Sequence, residues 1–256
     1  MEIKRTIGLV LSGGGYRGIA HIGAIRAMEE HGLEANYVSG TSAGAIVGAL
    51  YAAGYSWKEM LDVFQNISIF SFSNYALRKP GLIDSDKFYE TFLKYFPDDN
   101  FKVLERKLFV TATDLIGSGT KIFHEGELIR PLLASSAVPG VFSPIAMDET
   151  LYCDGGVTNN FPVEPLQIFC DAILGVYVNP LEKVTTKDLN STAEVVERAY
   201  LIIRATASKS KFTACDVLIV PPELNQYAIL KRSNMDKIFQ LGYEEAKKRL
   251  LESGLI

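Results

Sequence analysis

Short apolar runs alternate along this chain with segments of helical period, and that alternation restricts the fold more than any other feature. Runs at 7–11, 37–39, 108–113, 121–123, 151–153, 172–178 and 217–220 have the length and composition of strands. Between them, 18–31, 43–53, 57–64, 126–137, 193–207 and 235–252 carry helical spacing. A further helix is expected from Asp84 to just before Pro97. Such alternation predicts an α/β fold with a mainly parallel sheet. Gly32 and Gly54 stand where helices end, and Ser56 with Glu59 predicts a capping box. Residues 67–82 are aromatic and serine-rich without a clear period, so they read as a flap over an acyl groove or as a loop packed on the core. No internal repeat or long linker divides the 256 residues, so one domain is expected.

Two glycine-rich turns fall where the first two strands meet their helices. After the first strand comes Ser12-Gly13-Gly14-Gly15-Tyr16-Arg17-Gly18. Consecutive glycines let backbone N–H groups converge on an anion, a geometry shared by phosphate sites and oxyanion holes. The spacing of Gly13, Gly15 and Gly18 also fits G-x-G-x-x-G, but a dinucleotide site needs an acid at the end of the second strand. That strand runs into Ser39-Gly40-Thr41-Ser42, and the nearest acid, Glu34, precedes it. A Walker loop is excluded because no Gly-Lys-Ser/Thr ends the turn.

After the second strand comes Gly40-Thr41-Ser42-Ala43-Gly44, a G-x-S-x-G sequence between strand and helix. A nucleophile elbow requires this setting, with small residues where the backbone bends and a helix N-terminus aimed at the serine. The alternative is that Ser42 only caps the helix and that the glycine loop is only a tight turn.

A nucleophilic serine needs a base. Only His21, His31 and His124 are present, and none follows late enough for the Ser…Asp/Glu…His order of α/β-hydrolases. His21, one helical turn beyond the glycine loop, reads as packing near it. Ser-x-x-Lys occurs at Ser118/Lys121 and Ser208/Lys211, but neither begins a helix. No His-Glu-x-x-His zinc motif occurs, so no metal is expected. Asp154, at the end of a strand and before Gly155-Gly156, is the remaining candidate, with a plain Asp-Gly turn as its alternative. An aspartate serves as base only in a dry or otherwise tuned site.

Composition narrows the partners. A net charge of −4 without a dense basic run argues against nucleic acid. The longest apolar stretches are too short to span a bilayer, and no signal cleavage site follows the first, so a soluble protein is expected. Cys153, Cys170 and Cys215, odd in number and far apart, read as free thiols and point to the cytoplasm. Residues 197–211 carry Arg198, Arg204, Lys209 and Lys211 among apolar residues, which suits a solvated helix face or transient contact with a lipid surface. Oligomeric state is not legible.

With these pieces in order, the chain resembles the patatin-like phospholipases. The likeness lies in Gly13-Gly14-Gly15-Tyr16-Arg17-Gly18, Gly40-Thr41-Ser42-Ala43-Gly44 and Asp154-Gly155-Gly156. Two lesser stretches, Thr111-Ala112-Thr113-Asp114-Leu115 and 134–142, also fit, so the likeness spans about 5–166 and is looser from about 179 onward. It implies a three-layer α/β/α fold with a mainly parallel central sheet and a nucleophile elbow. It implies lipid acyl hydrolysis, phospholipase A-like or carboxylesterase, without metal or organic cofactor. By that resemblance Ser42 attacks the ester and Asp154 takes its proton. An oxyanion hole is formed by Gly13, Gly14 and Gly15, with Arg17 shaping the loop or adding positive potential, and water releases the acyl-enzyme. Tyr16 is bulkier than expected there and restricts the substrate.

Overall fold

The protein was analysed as a computed structural model, which describes residues 5–66, 83–84, 88–229, 232 and 234–255. The segment read as a flap, 67–82, lies outside the described residues.

The expected alternation is realised around one eight-stranded mixed sheet. Its strands are β1 (Ile7–Leu11), β2 (Tyr37–Thr41), β3 (Lys107–Asp114), β4 (Gly119–Phe123), β5 (Ile145–Met147), β6 (Thr150–Asp154), β7 (Ala172–Val176) and β8 (Val217–Ile219). The helices are α1 (Ile19–Glu30), α2 (Ala43–Ala52), α3 (Trp57–Asn66), α4 (Tyr89–Leu93), α5 (Ile129–Ser135), α6 (Thr192–Lys209) and α7 (Met235–Ser253). The strand order is β5-β6-β3-β2-β1-β7-β8, with β4 also paired to β3. The run from β3 through β8 is parallel, and β4, β5 and β6 join antiparallel.

The sheet is buried on both faces, as a parallel sheet must be, and the two-residue period of its strands shows why. Leu9, Leu11, Leu108, Val110, Leu174 and Val176 point into one core with the residues of α1, α2, α3 and α7. Their neighbours Val10, Phe109 and Ile173 point the other way, against Phe161, Val163, Leu166 and Tyr177. The first layer is helical, with α7 lying along α1. The second is thinner, built from turns around 159–170 and 212–215 and from the inner side of α6. The architecture is the three-layer α/β/α arrangement with a mainly parallel centre.

Several boundaries differ from the sequence reading. Helix α5 is shorter than 126–137, because the N–H groups of Leu128 and Ile129 are taken by Asp99 Oδ1 at 3.0 and 2.7 Å, which fixes the start of the helix there. Strand β5 was not expected; its three residues are too few for a period and stand only by pairing with β6. The capping box at Ser56 and Glu59 is formed, and Gly32 turns with φ 70° after α1. No described helix is long and apolar enough to cross a membrane.

The topology brings the motifs to one end of the sheet. Leu11 pairs with Gly40, so the glycine loop after β1 and the serine turn after β2 leave the sheet side by side. Strand β3 then acts as a template. Its ladder with β2 ends at Thr41 opposite Thr111, and its ladder with β6 begins with Asp154 opposite Ala112. Strand β4 holds the other edge over Val110–Asp114, so β6 continues along the edge that β2 leaves.

Candidate functional site

Ser42 has φ 54° and ψ −125°, a conformation that non-glycine residues avoid and that marks a strained elbow. Two bonds hold it. The Ser42 N–H donates to Ser135 Oγ at 2.8 Å, and the Ser135 hydroxyl donates to the Thr111 carbonyl at 2.6 Å. The turn closes only over small residues: a Cβ on Gly44 would lie 2.3 Å from the Leu11 oxygen, and one on Gly40 2.5 Å from the Gly44 oxygen. Helix α2 starts directly after Ser42, so its first N–H groups, without intrahelical acceptors, are directed at this end of the sheet.

The glycine loop packs directly on Ser42; a Cβ on Gly13 would lie 3.2 Å from that of Ser42. Its start is pinned from several directions. The Gly13 N–H donates to the Asn160 carbonyl at 3.2 Å, and Asn179 Nδ2 donates to the Gly13 carbonyl. The Ser12 carbonyl accepts from His21 Nε2 at 2.8 Å, and Ser12 Oγ accepts from the Val178 N–H at 3.0 Å. Among the described residues, the N–H groups of Gly14 and Gly15 have no acceptor. Arg17 is buried and turned toward the C-terminal segment, where Nε donates to the Tyr227 carbonyl at 2.6 Å and Nη2 to that of Asn225 at 3.3 Å. Thus Gly13 and Arg17, grouped by the sequence reading with the oxyanion hole, have donors engaged in fixing the loop. Gly14 and Gly15 carry its open donors.

Asp154 is buried at the end of β6. Its N–H donates to the Ala137 carbonyl at 2.9 Å, its carbonyl accepts from Thr113 Oγ1 at 2.9 Å, and its Oδ1 accepts from the Gly156 N–H at 2.7 Å. The two lesser stretches of the resemblance therefore hold Ser42 and Asp154 in place, through Thr111 and Ser135 for one and Thr113 and Ala137 for the other. Burial raises the Asp154 pKa, while the Arg204 cation, the Ser42 hydroxyl and the Gly156 N–H act to lower it. The Ser42 hydroxyl is near enough to influence that ionisation, yet Oδ2 has no aligned hydrogen-bond partner.

Arg204, on α6, was read from the sequence as part of a solvated or lipid-facing stretch. Only 7% of it is exposed, because its guanidinium enters the site. Its Nη2 donates to Asn160 Oδ1 and lies 2.8 Å from where a Gly13 Cβ would stand and 2.5 Å from that of Gly156. Tyr200, one turn earlier, lies under the guanidinium at 5.1 Å. Burial raises the Tyr200 pKa, and the Asp154 charge adds to that.

The histidines take no part in a relay to Ser42. His21 is fully buried, its pKa is lowered to about 4 by desolvation, and its one bonded nitrogen serves the Ser12 carbonyl. His31 bonds the Ala27 carbonyl at the end of α1, and His124 packs edge-on to Phe109. A cavity of about 730 Å³ beside His124, lined by Tyr37, Phe109, Ile168 and Phe169, lies at the start of β2 and β3, the end of the sheet opposite Ser42. Among the described residues no group of three or more His, Cys, Asp or Glu could hold a metal ion.

The sequence pattern of the patatin-like phospholipases matches residues 9–166, more than half of the chain and all three motif turns. The chain belongs to the patatin-like phospholipase family. Among curated relatives of this patatin-like chain, the lysophospholipase NTE1 of Eremothecium gossypii is 27% identical over 271 residues, covering 93% of the chain and 18% of the relative. The lysophospholipase NTE1 of Saccharomyces cerevisiae is 25% identical over 285 residues, covering 98% of the chain and 17% of the relative. The chain thus spans less than a fifth of the length of these two relatives. In fold it is similar to VipD from Legionella pneumophila, with TM-score 0.64 and 15% identity, covering 98% of this chain and 67% of that one. It is also similar to the type III effector protein ExoU, with TM-score 0.53 and 16% identity, covering 98% and 54% of the two chains.

Sequence reasoning missed Ser135, Asn160, Asn179 and Arg204. Two left a signal: Ser135 lies in the 134–142 stretch of the resemblance, and Arg204 with Tyr200 and Ser208 forms a polar i, i+4, i+8 line on α6, whose other residues there are largely apolar.

Proposed function

We propose that this chain is a lipid acyl hydrolase that uses Ser42 as nucleophile and Asp154 as its base, without an intervening histidine. The observation that carries the reading is the register on β3, where Asp154 takes up opposite Ala112 the edge that β2 leaves at Ser42. Membership of a phospholipase family and likeness to lysophospholipases support an acyl ester of a lipid as substrate.

In this mechanism the Ser42 Oγ attacks the ester carbonyl carbon while its proton passes to Asp154. The carbonyl oxygen becomes an oxyanion, stabilised by the Gly14 and Gly15 N–H groups and the N-terminus of α2. Asp154 returns the proton to the departing alcohol, leaving an acyl-Ser42 ester. A water molecule, deprotonated by Asp154, then attacks that ester and regenerates the serine. An aspartate is a weak base in water, and burial makes it a stronger one. Arg204 opposes that rise and so favours the ionised carboxylate.

A fluorophosphonate probe, which labels an activated serine, tests the reading. Wild type should be labelled, Ser42→Ala not at all, and Asp154→Asn at least about a hundredfold more slowly, the size of a general-base contribution. Labelling of Ser42→Ala at the wild-type rate would end the proposal.

A further inference from the structure

Helix α6 turns opposite faces to the protein and to water, in the reverse of the usual sense. Its inner line carries the polar groups Tyr200, Arg204 and Ser208. Its outer line carries Val195, Val196, Ala199, Ile202 and Ile203, all exposed, with Ile203 62% accessible. The spacing i, i+1, i+4, i+7, i+8 makes one continuous apolar stripe. A surface helix ordinarily hides such a stripe, and a large exposed apolar patch marks an interaction surface.

The position of the stripe decides what covers it. The same helix delivers Arg204 beside Asp154, and Gly156, whose Cα faces that guanidinium, is followed by the exposed Val157. Further exposed apolar side chains, Leu115, Ile116 and Leu151, stand where β3 and β6 project beyond Asp154, tied by the Leu115 N–H bond to the Leu151 carbonyl. The apolar surface therefore runs along the rim of the Ser42 end of the sheet. Around the stripe the sequence has the cations Arg198, Arg204, Lys209 and Lys211 and the acids Glu194 and Glu197. Arg204 is buried and Lys211 is paired with Glu164, so the remaining charges of the α6 sequence, Glu194, Glu197, Arg198 and Lys209, balance and the apolar side chains carry the contact. A second copy seated here would seal the rim through which substrate must pass. A phospholipid surface would instead meet the apolar side chains with its acyl region.

We propose that the outer face of α6 is a docking surface for phospholipid assemblies, which seats the chain so that an acyl ester reaches Ser42 without crossing water. The proposal rests on the acyl hydrolase reading for its purpose but not for its test. Binding is measured with the Ser42→Ala chain, by sedimentation with phosphatidylcholine vesicles, with and without phosphatidylglycerol. The Ser42→Ala chain should sediment with both kinds of vesicle, since the apolar stripe carries the contact. Adding Ile202→Ser and Ile203→Ser should weaken binding by about tenfold or more, since each change withdraws an apolar side chain from the interface. Circular dichroism should be unchanged. With Ser42 restored, the Ile202→Ser/Ile203→Ser chain should hydrolyse a soluble short-chain ester at the wild-type rate and vesicle lipid more slowly. Equal vesicle binding with and without the isoleucines would overturn the docking face. So would a dimer in gel filtration that these changes disperse, accompanied by no vesicle binding. Vesicle binding without any ester hydrolysis would leave the docking face standing and count only against the hydrolase reading.

Discussion

His21 is the residue whose titration should be most visible in the stability of the fold. It is fully buried beneath the glycine loop, its Nε2 bonded to the Ser12 carbonyl and its Nδ1 without a partner. A neutral ring satisfies this arrangement by carrying its proton on Nε2. A second proton would go to Nδ1, which has no acceptor, and would bring a charge into the core. The pKa is accordingly lowered from 6.5 to about 4. The sign of the consequence follows from linkage. Above the unfolded value both states are neutral and the contribution is complete. As pH falls below it, the unfolded chain takes up the proton first, so stability is lost until the folded histidine also titrates near its own pKa. The span of the shift corresponds to about 3 kcal/mol in all, of which about 2 kcal/mol is lost by pH 5.

The assay is urea unfolding of wild type and His21→Gln at a series of pH values from neutral to about 4.5. Glutamine keeps an N–H donor for the Ser12 carbonyl and removes the titration. Carboxylates common to both proteins cancel in the difference, so the wild-type curve should fall below that of the variant by about 2 kcal/mol near pH 5, relative to their separation at neutral pH. The folded variant should still react with the fluorophosphonate probe, because His21 carries no proton for Ser42. Parallel stability curves would refute the buried-neutral account. Loss of labelling in a folded His21→Gln chain would refute the purely structural role.

The other expectations concern groups around Ser42 and Asp154. Arg204→Gln removes the cation that opposes the upward shift of Asp154, so the acid limb of kcat/KM should move to higher pH, with the deficit shrinking as pH rises and Arg204→Lys restoring part of it; a profile that only scales down uniformly would assign Arg204 to packing. Ser135→Ala leaves the Ser42 N–H and the Thr111 carbonyl without their shared partner in a buried setting, which should cost about 2–4 kcal/mol in urea unfolding and depress kcat; a loss under 1 kcal/mol would show that the elbow does not depend on this relay.

What the sequence disclosed, and what it did not, divides by the range of the interaction. The strands of the sheet centre were legible because both faces of the sheet are buried and each strand reads as a short apolar run closed by glycine or a polar turn. The glycine loop, the serine turn and Asp154-Gly155-Gly156 were legible because their constraint is local: Gly44 must approach the Leu11 oxygen whatever else the chain does. The roles of Ser135, Asn160 and Asn179 were not, since each acts through a partner 24 to 166 residues away. Arg204 failed for a different reason. The charges of residues 197–211 were read as facing solvent or a lipid surface by the rule that helices turn polar faces outward, and α6 inverts that rule because its inner face borders a polar site.

The same distinction bears on how the proposed serine–aspartate pair would work without a histidine between its members. A histidine relay tolerates a base on a loop, because the imidazole spans the gap to the serine. A direct pair would leave no such latitude, and the placement of Ser42 and Asp154 is set by backbone ladders on a single strand. Strand β6 lies on β3 with Asp154 opposite Ala112, and a slip of one residue would turn the carboxylate to the opposite face of the sheet. The register is protected from slipping: Thr113 bonds the Asp154 carbonyl, Ala137 receives its N–H, and Gly156 bonds its carboxylate. Burial that secures this geometry also favours the protonated acid. The cation delivered by α6 opposes that effect, so on the proposed mechanism the helix that bears the apolar outer stripe would also tune the base beneath it. Docking and proton transfer would then depend on one element, and a change that displaces α6 should impair both together.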